Sequence, residues 1–138
     1  MAEGFLKDIS AKEKLDIKAY SCGIFAQNGE EPTENTILAM KEFNINMENH
    51  RATNIRNSNI SEMDLILCAT KGHKDMLIQM YPNLKEKTYT LKEYVGNDIQ
   101  NIDINDPWGY NLETYKKCAQ EIKENIEKLI CILEKEIK

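Results

Sequence analysis

One continuous apolar run, Leu65-Ile66-Leu67-Cys68-Ala69, lies in the middle of a chain whose other apolar residues mostly recur at helical spacing. A strand with one face in water alternates polar and apolar residues. A strand with no polar face must be covered on both sides, as in a parallel sheet between helical layers. The neighbouring segments fit that demand. Met1, Phe5 and Ile9, with Ala2 and Leu6 beside them, mark an amphipathic helix, and Ile37, Met40 and Phe43 mark a second from about Thr33 to Phe43. Met76, Leu77 and Met80 mark a third, stopped by Pro82. Leu112, Tyr115, Ala119, Ile122, Ile126, Leu129, Leu133 and Ile137 share one face of a fourth, from Asn111 to Lys138. Ile17 to Cys22 alternates and reads as a short strand ending at Gly23, Thr88 to Leu91 reads as another, and Asn44 to Ser61 is polar loop. The order helix, strand, helix, strand, helix, strand, helix specifies an α/β fold: a parallel sheet with helices on both faces.

The remaining bounds come from size and charge. At 138 residues the chain is one domain's worth, enough to bury a core unaided. A net charge of -5 argues against a nucleic-acid partner or a membrane surface. No apolar run approaches a membrane span, and Met1 to Asp8 lacks the basic and apolar regions of a signal peptide, so a cytoplasmic location is expected. Cys22, Cys68, Cys118 and Cys131 form no C-x-x-C pair, and three of them sit in apolar segments. Buried free thiols in a reducing compartment are the expectation.

The stretch with most chemical content is Asn105-Asp106-Pro107-Trp108-Gly109-Tyr110. Pro107 disfavours the helical region for Asp106, Gly109 lets the backbone bend again, and Asn111 is placed to cap the last helix. A stiff loop thereby presents a carboxylate beside a large ring. An apolar wall disfavours a charged carboxylate and suits it to general acid work. The plain alternative is an Asx-Pro turn with its ring packed on the core.

Taken together, these segments resemble the low-molecular-weight protein-tyrosine phosphatases, and within them the bacterial protein-arginine phosphatase branch. Met1-Ala2-Glu3 looks like the residues that directly follow that family's Cys-x5-Arg-Ser-Pro phosphate loop. Tyr20-Ser21-Cys22-Gly23 is similar to its Ser-x-Gly strand end, and Gly23-Ile24-Phe25-Ala26 with Gly29 and Pro32 to the loop that follows. Asn49-His50-Arg51 matches a family histidine and Asp64-Leu65-Ile66-Leu67 its buried strand. Thr90 to Val95 and Asp106-Pro107-Trp108-Gly109 match the arginine-phosphatase branch.

The resemblance implies a three-layer doubly wound sheet and two-step hydrolysis through a phosphocysteine, without metal or cofactor, on a phosphorylated protein. It makes Asp106 the general acid/base, Ser21 and His50 supports of the phosphate loop, and Phe25 and Trp108 walls for the substrate side chain. One departure matters. Six positions after each cysteine stand Asn28, Lys74, Glu124 and Ile137, none of them arginine. The first helix also has no capping residue or lead-in loop before it. The resemblance therefore implies that a central strand and the nucleophile loop are absent, that residues 1–138 are an N-terminally incomplete domain, and that the chain alone is inactive. Two readings stand: an enzyme whose start lies further upstream, or a truncated non-catalytic binding module.

Overall fold

The computed structural model describes residues 1–96 and 101–137, without the side chain of Ile137. The expected apolar contact at Ile137, and Lys138 at the helix end, thus lie outside the described residues. The elements are α1 (Ala2–Lys12), α2 (Glu34–Lys41), β1 (Ile66–Cys68), α3 (Lys71–Met80), β2 (Thr88–Thr90), α4 (Leu91–Tyr94) and α5 (Leu112–Ile137), with three 3-10 turns between them. β1 and β2 pair in parallel, Ile66 opposite Thr88 and Cys68 opposite Thr90. The protein is an α/β fold with helices on both faces of that sheet.

Side-chain alternation along β1 builds the layers. Leu65 and Leu67 pack against a core made by Phe5 of α1, Ala39 and Met40 of α2, and Tyr115, Ala119, Ile122, Ile126 and Leu129 of α5. Ile66 and Cys68 point the other way, into a smaller cluster with Ile55, Ile60, Leu77 and Leu84. Local sequence sets the helix boundaries. Thr33 caps α2 by accepting from the Thr36 N–H at 3.2 Å, and Thr70 caps α3 from the His73 N–H at 3.1 Å. Asn111 accepts from the Thr114 N–H at 3.0 Å and so caps α5 as the sequence indicates. Pro82, which has no N–H to donate, follows the end of α3.

Four expectations need correction. Ile17 to Cys22 forms no ladder; parallel pairing there is a single bridge, Gly23 to Asn54, among the described residues. An alternating sequence is sufficient for a strand only where a neighbouring strand runs alongside to complete the hydrogen bonds. The apolar run is also shorter and wetter than its composition suggests: Ile66 is buried, Leu67 and Cys68 are half-buried and Ala69 is exposed. Finally, all four cysteines are free, but none is fully buried, and Cys22 and Cys131 are exposed. Cys22 lies in the unpaired segment just before the Gly23 bridge and Cys131 on the outer face of α5, so apolar neighbours in sequence did not mean apolar neighbours in space. Met80, likewise, is exposed at the end of α3.

A capping box joins β2 to α4 and carries a pH dependence. The Glu93 carboxylate accepts from the Thr90 N–H at 2.9 Å while the Thr90 hydroxyl accepts from the Glu93 N–H at 3.1 Å. Lys74 of α3 reaches both Glu93 oxygens, at 3.0 and 2.9 Å. The Thr90 amide first, and Lys74 second, hold the Glu93 carboxyl below its ordinary value of 4.5. A depressed carboxylate contributes stability that is present above the unfolded-state value and lost as pH falls through the folded one. Thermal melts from neutral pH into acid should therefore show wild type losing its advantage over Glu93→Gln only below about pH 4.5. An advantage that is constant with pH would remove this linkage.

Candidate active site

The loop before α5 is tied to the carboxyl end of β1. Ile104 N–H donates to the Ala69 carbonyl at 2.8 Å, and Asp103 Oδ1 accepts from the Lys71 N–H at 2.8 Å, capping the first turn of α3 from across the sheet end. Beyond these tethers the loop turns sharply. Tyr110 N–H donates to the Pro107 carbonyl at 2.9 Å, with Gly109 at φ +86° in the third position. That is a type II turn, whose third residue needs the left-handed region that glycine adopts freely. Asp106 Oδ1 accepts from the Trp108 N–H at 3.0 Å, an Asx turn that leaves Oδ2 free of this contact and fixes the carboxylate beside the ring's backbone.

Trp108 is 72% exposed, so the alternative of a ring packed on the core does not hold. Asp106 is exposed as well, and the apolar shelter expected for its carboxylate is not built by the chain itself. Phe25, in the loop after Gly23, is 79% exposed. Two large rings on separate loops therefore project into solvent, against the usual preference of such side chains for the interior.

Ser21 and His50 converge on a residue that sequence reading did not single out. The Ser21 hydroxyl donates to Glu3 Oε1 at 3.0 Å, and His50 Nδ1 lies 3.2 Å from Glu3 Oε2. Lys7, one turn further along α1, stands 3.4 Å from the same oxygen. Glu3 is in the first turn of α1, where a carboxylate also meets the positive end of the helix dipole. It thus pins two loops to the head of α1. In sequence it is one glutamate among many charges, and only the later positions of Ser21 and His50 distinguish it.

The head of α1 and the acid loop share a neighbourhood around Cys118 of α5. Cys118 Sγ donates to the Asn105 carbonyl at 3.7 Å. Burial pushes the Cys118 thiol up to about 11; Glu121 and Asp106 add to that shift, and the Met1 amine opposes it. Desolvation in turn lowers the Met1 α-amino group. Burial also raises the Cys68 thiol to about 11, and raises Cys22 against an opposing hydrogen bond from Ser58. These three thiols are held protonated, the reverse of what an attacking thiolate requires. Among the described residues, no group of three or more His, Cys, Asp or Glu side chains is placed to hold a metal ion. No helix there is long and apolar enough to cross a membrane.

A parallel sheet between helical layers, with the Asp106 loop tethered beside the carboxyl end of β1, is the arrangement of α/β proteins that bind ligands at that end. The model of the low molecular weight phosphotyrosine protein phosphatase family matches residues 1–138. A protein-arginine-phosphatase of Geobacillus stearothermophilus is 32% identical over 118 residues, covering 86% of this chain and 78% of the relative. The protein-arginine-phosphatase of Bacillus subtilis (strain 168) is 30% identical, over 99% of this chain and 89% of its own. The solved low molecular weight protein tyrosine phosphatase from T. tengcongensis superposes with a TM-score of 0.86 at 36% identity, covering 94% of this chain and 86% of that one. The chain belongs to the low molecular weight phosphotyrosine protein phosphatase family, whose members are protein phosphatases acting on phosphorylated proteins.

Proposed function

We propose that residues 1–138 are an incomplete phosphatase domain that carries the acid and the substrate walls of a cytoplasmic, cysteine-dependent protein phosphatase but not its nucleophile loop. Asp106 is the general acid/base. It protonates the leaving atom of the substrate as the bond to phosphorus breaks. It then takes a proton from the water that attacks the phosphocysteine. Ser21 and His50 support the phosphate loop through Glu3, and Phe25 and Trp108 grip the phosphorylated side chain. The observation that carries this reading is the turn in which the exposed Asp106 carboxylate accepts from the N–H of the exposed Trp108, beside the tether of Ile104 to Ala69 at the end of β1. The matches at Thr90 to Val95 and Asp106 to Gly109, and the two arginine-phosphatase relatives, favour phosphoarginine as the substrate. No cofactor or metal takes part.

The attacking thiolate is not among these residues, since no cysteine is followed by arginine six positions on. Without it the covalent route is closed, and a positioned acid does not replace it. The 138-residue chain is therefore expected to show no turnover of p-nitrophenyl phosphate or phosphoarginine above background. Joining a strand and a Cys-x5-Arg-Ser-Pro loop ahead of Met1 should restore it. Turnover by the bare chain that survives thiol alkylation yet disappears in Asp106→Asn would overturn the assignment. The same missing motif supports a second reading, a non-catalytic phosphatase-like binding module. Saturable binding of a phosphopeptide by the bare chain, with no gain of activity on adding the loop, would favour that reading instead.

A further inference from the structure

Phe25 is 79% exposed, yet the residues just before and just after it are anchored through their carbonyls. Asn54 Nδ2 donates to the Ala26 carbonyl at 2.8 Å and to the Ile24 carbonyl at 3.4 Å. They are the carbonyls of the residues that precede and follow Phe25. The other end of the same amide is also engaged: Oδ1 accepts from the Arg56 N–H at 3.0 Å and caps the 3-10 turn Ile55–Asn57. The Asn54 backbone N–H donates to Asn28 Oδ1 at 2.7 Å, and Asn28 Nδ2 donates on to Asn57 Oδ1 at 2.7 Å. The backbone is laced in the same register. Gly23 N–H donates to the Thr53 carbonyl at 2.9 Å, Ile55 N–H to the Gly23 carbonyl at 3.0 Å, and Gly29 N–H to the Ala52 carbonyl at 2.9 Å. Ile24 packs inward on the cluster that holds the buried Ile55.

A ring on an unrestrained loop must lose backbone and side-chain freedom when it grips a ligand, and that loss weakens binding. Anchoring the Ile24 and Ala26 carbonyls narrows the backbone freedom of Phe25, so less of it is lost when the ring grips a ligand. We propose that Asn54 is a positioning residue for Phe25: its side-chain amide clamps the Ile24 and Ala26 carbonyls and so holds the Phe25 ring ready at the substrate site. This rests on the reading of Phe25 as a substrate wall. Asn54 itself touches no reacting atom; it acts through Phe25.

Asn54→Asp separates the clamp from the cap, because the carboxylate still accepts from Arg56 but has no proton for Ile24 or Ala26. The chain has three phenylalanines, and Phe5 and Phe43 pack edge to face in the core, so they serve as internal references. In protein labelled with 4-fluorophenylalanine, the Phe25 fluorine resonance should move and narrow in Asn54→Asp while the other two stay in place. The Gly23 and Gly29 amides should exchange with solvent about tenfold faster, as expected for losing one to two neutral hydrogen bonds. An unchanged Phe25 resonance would overturn the proposal. If all three resonances shift, Asn54→Ser decides, since serine still caps but reaches neither carbonyl. A Phe25-selective change there upholds the clamp, while no change, or a change shared by all three, overturns it. Phe25→Ala with undiminished turnover, in the loop-bearing version, would remove the wall reading and leave the Asn54 result standing.

Discussion

Asp106→Asn is expected to lower turnover about 10²-fold or more in a version of the chain that carries the Cys-x5-Arg loop. The substitution is nearly isosteric and keeps the oxygen that accepts from the Trp108 N–H at 3.0 Å, so the Asx turn and the neighbouring type II turn should survive. Only the proton is lost. The size of the loss should depend on the leaving group. A nitrophenolate leaves as an anion with little help, so p-nitrophenyl phosphate should lose least. A guanidine leaving phosphoarginine needs its nitrogen protonated as the P–N bond breaks, so that substrate should lose most. About 10² in rate corresponds to roughly 2.7 kcal/mol of barrier, well within what one positioned acid supplies. Parallel steady-state measurements on the two substrates check this directly. Near-normal turnover of both would make Asp106 a turn residue and nothing more. An equal loss on both would point to a displaced loop rather than a missing proton.

What the sequence discloses about such a site follows from how local the signals are. The turn that presents Asp106 and Trp108 was legible because Pro107 and Gly109 shape it, and proline and glycine act on the residues next to them. Helices α2, α3 and α5 were legible for the same reason, since Thr33, Thr70 and Asn111 cap the turns that follow them. Glu3 and Asn54 were not. A first-turn glutamate and a loop asparagine are ordinary in sequence. Their roles appear only when residues 18 and 47 positions away from Glu3, Ser21 and His50, fold against it. Asn54 in the same way acts on carbonyls 28 and 30 positions earlier. Strand pairing is non-local too, which is why Ile17 to Cys22 carries a strand's alternation without a strand's ladder. Cysteine burial failed for a related reason: Cys131 has apolar neighbours along α5, but the helix turns it outward.

The largest loss of stability is expected from Phe5→Ala. Each strand of the paired sheet is three residues long, and so short a ladder contributes little by itself. Stability therefore rests mainly on the helical layer, where α1 and α2 pack on α5. Phe5 is 1% exposed in that layer, and its ring meets Phe43 edge to face with centroids 5.2 Å apart. Lys123 of α5 lies 5.7 Å over the Phe43 ring and covers the pair. One residue earlier, a Cβ on Gly4 would come within 2.9 Å of Met47 Sδ, so α1 packs closely on the side chains beneath it. Removing a buried phenylalanine costs about 3–5 kcal/mol. Against a typical domain stability of about 5–15 kcal/mol, that is a large share. Chemical denaturation should show the midpoint falling with the slope unchanged, and a thermal melt should drop by about 10 °C or more. Lys7→Ala, on the exposed side of the same helix, should stay within about 0.5 kcal/mol of wild type and serves as the control. The loss should also reach the site, because α1 carries Glu3 and through it the attachment of Ser21 and His50. A Phe5→Ala midpoint within error of the Lys7→Ala control would mean that α1 unfolds separately from α5, and the head of α1 would then be too loosely held to organise the loops around it.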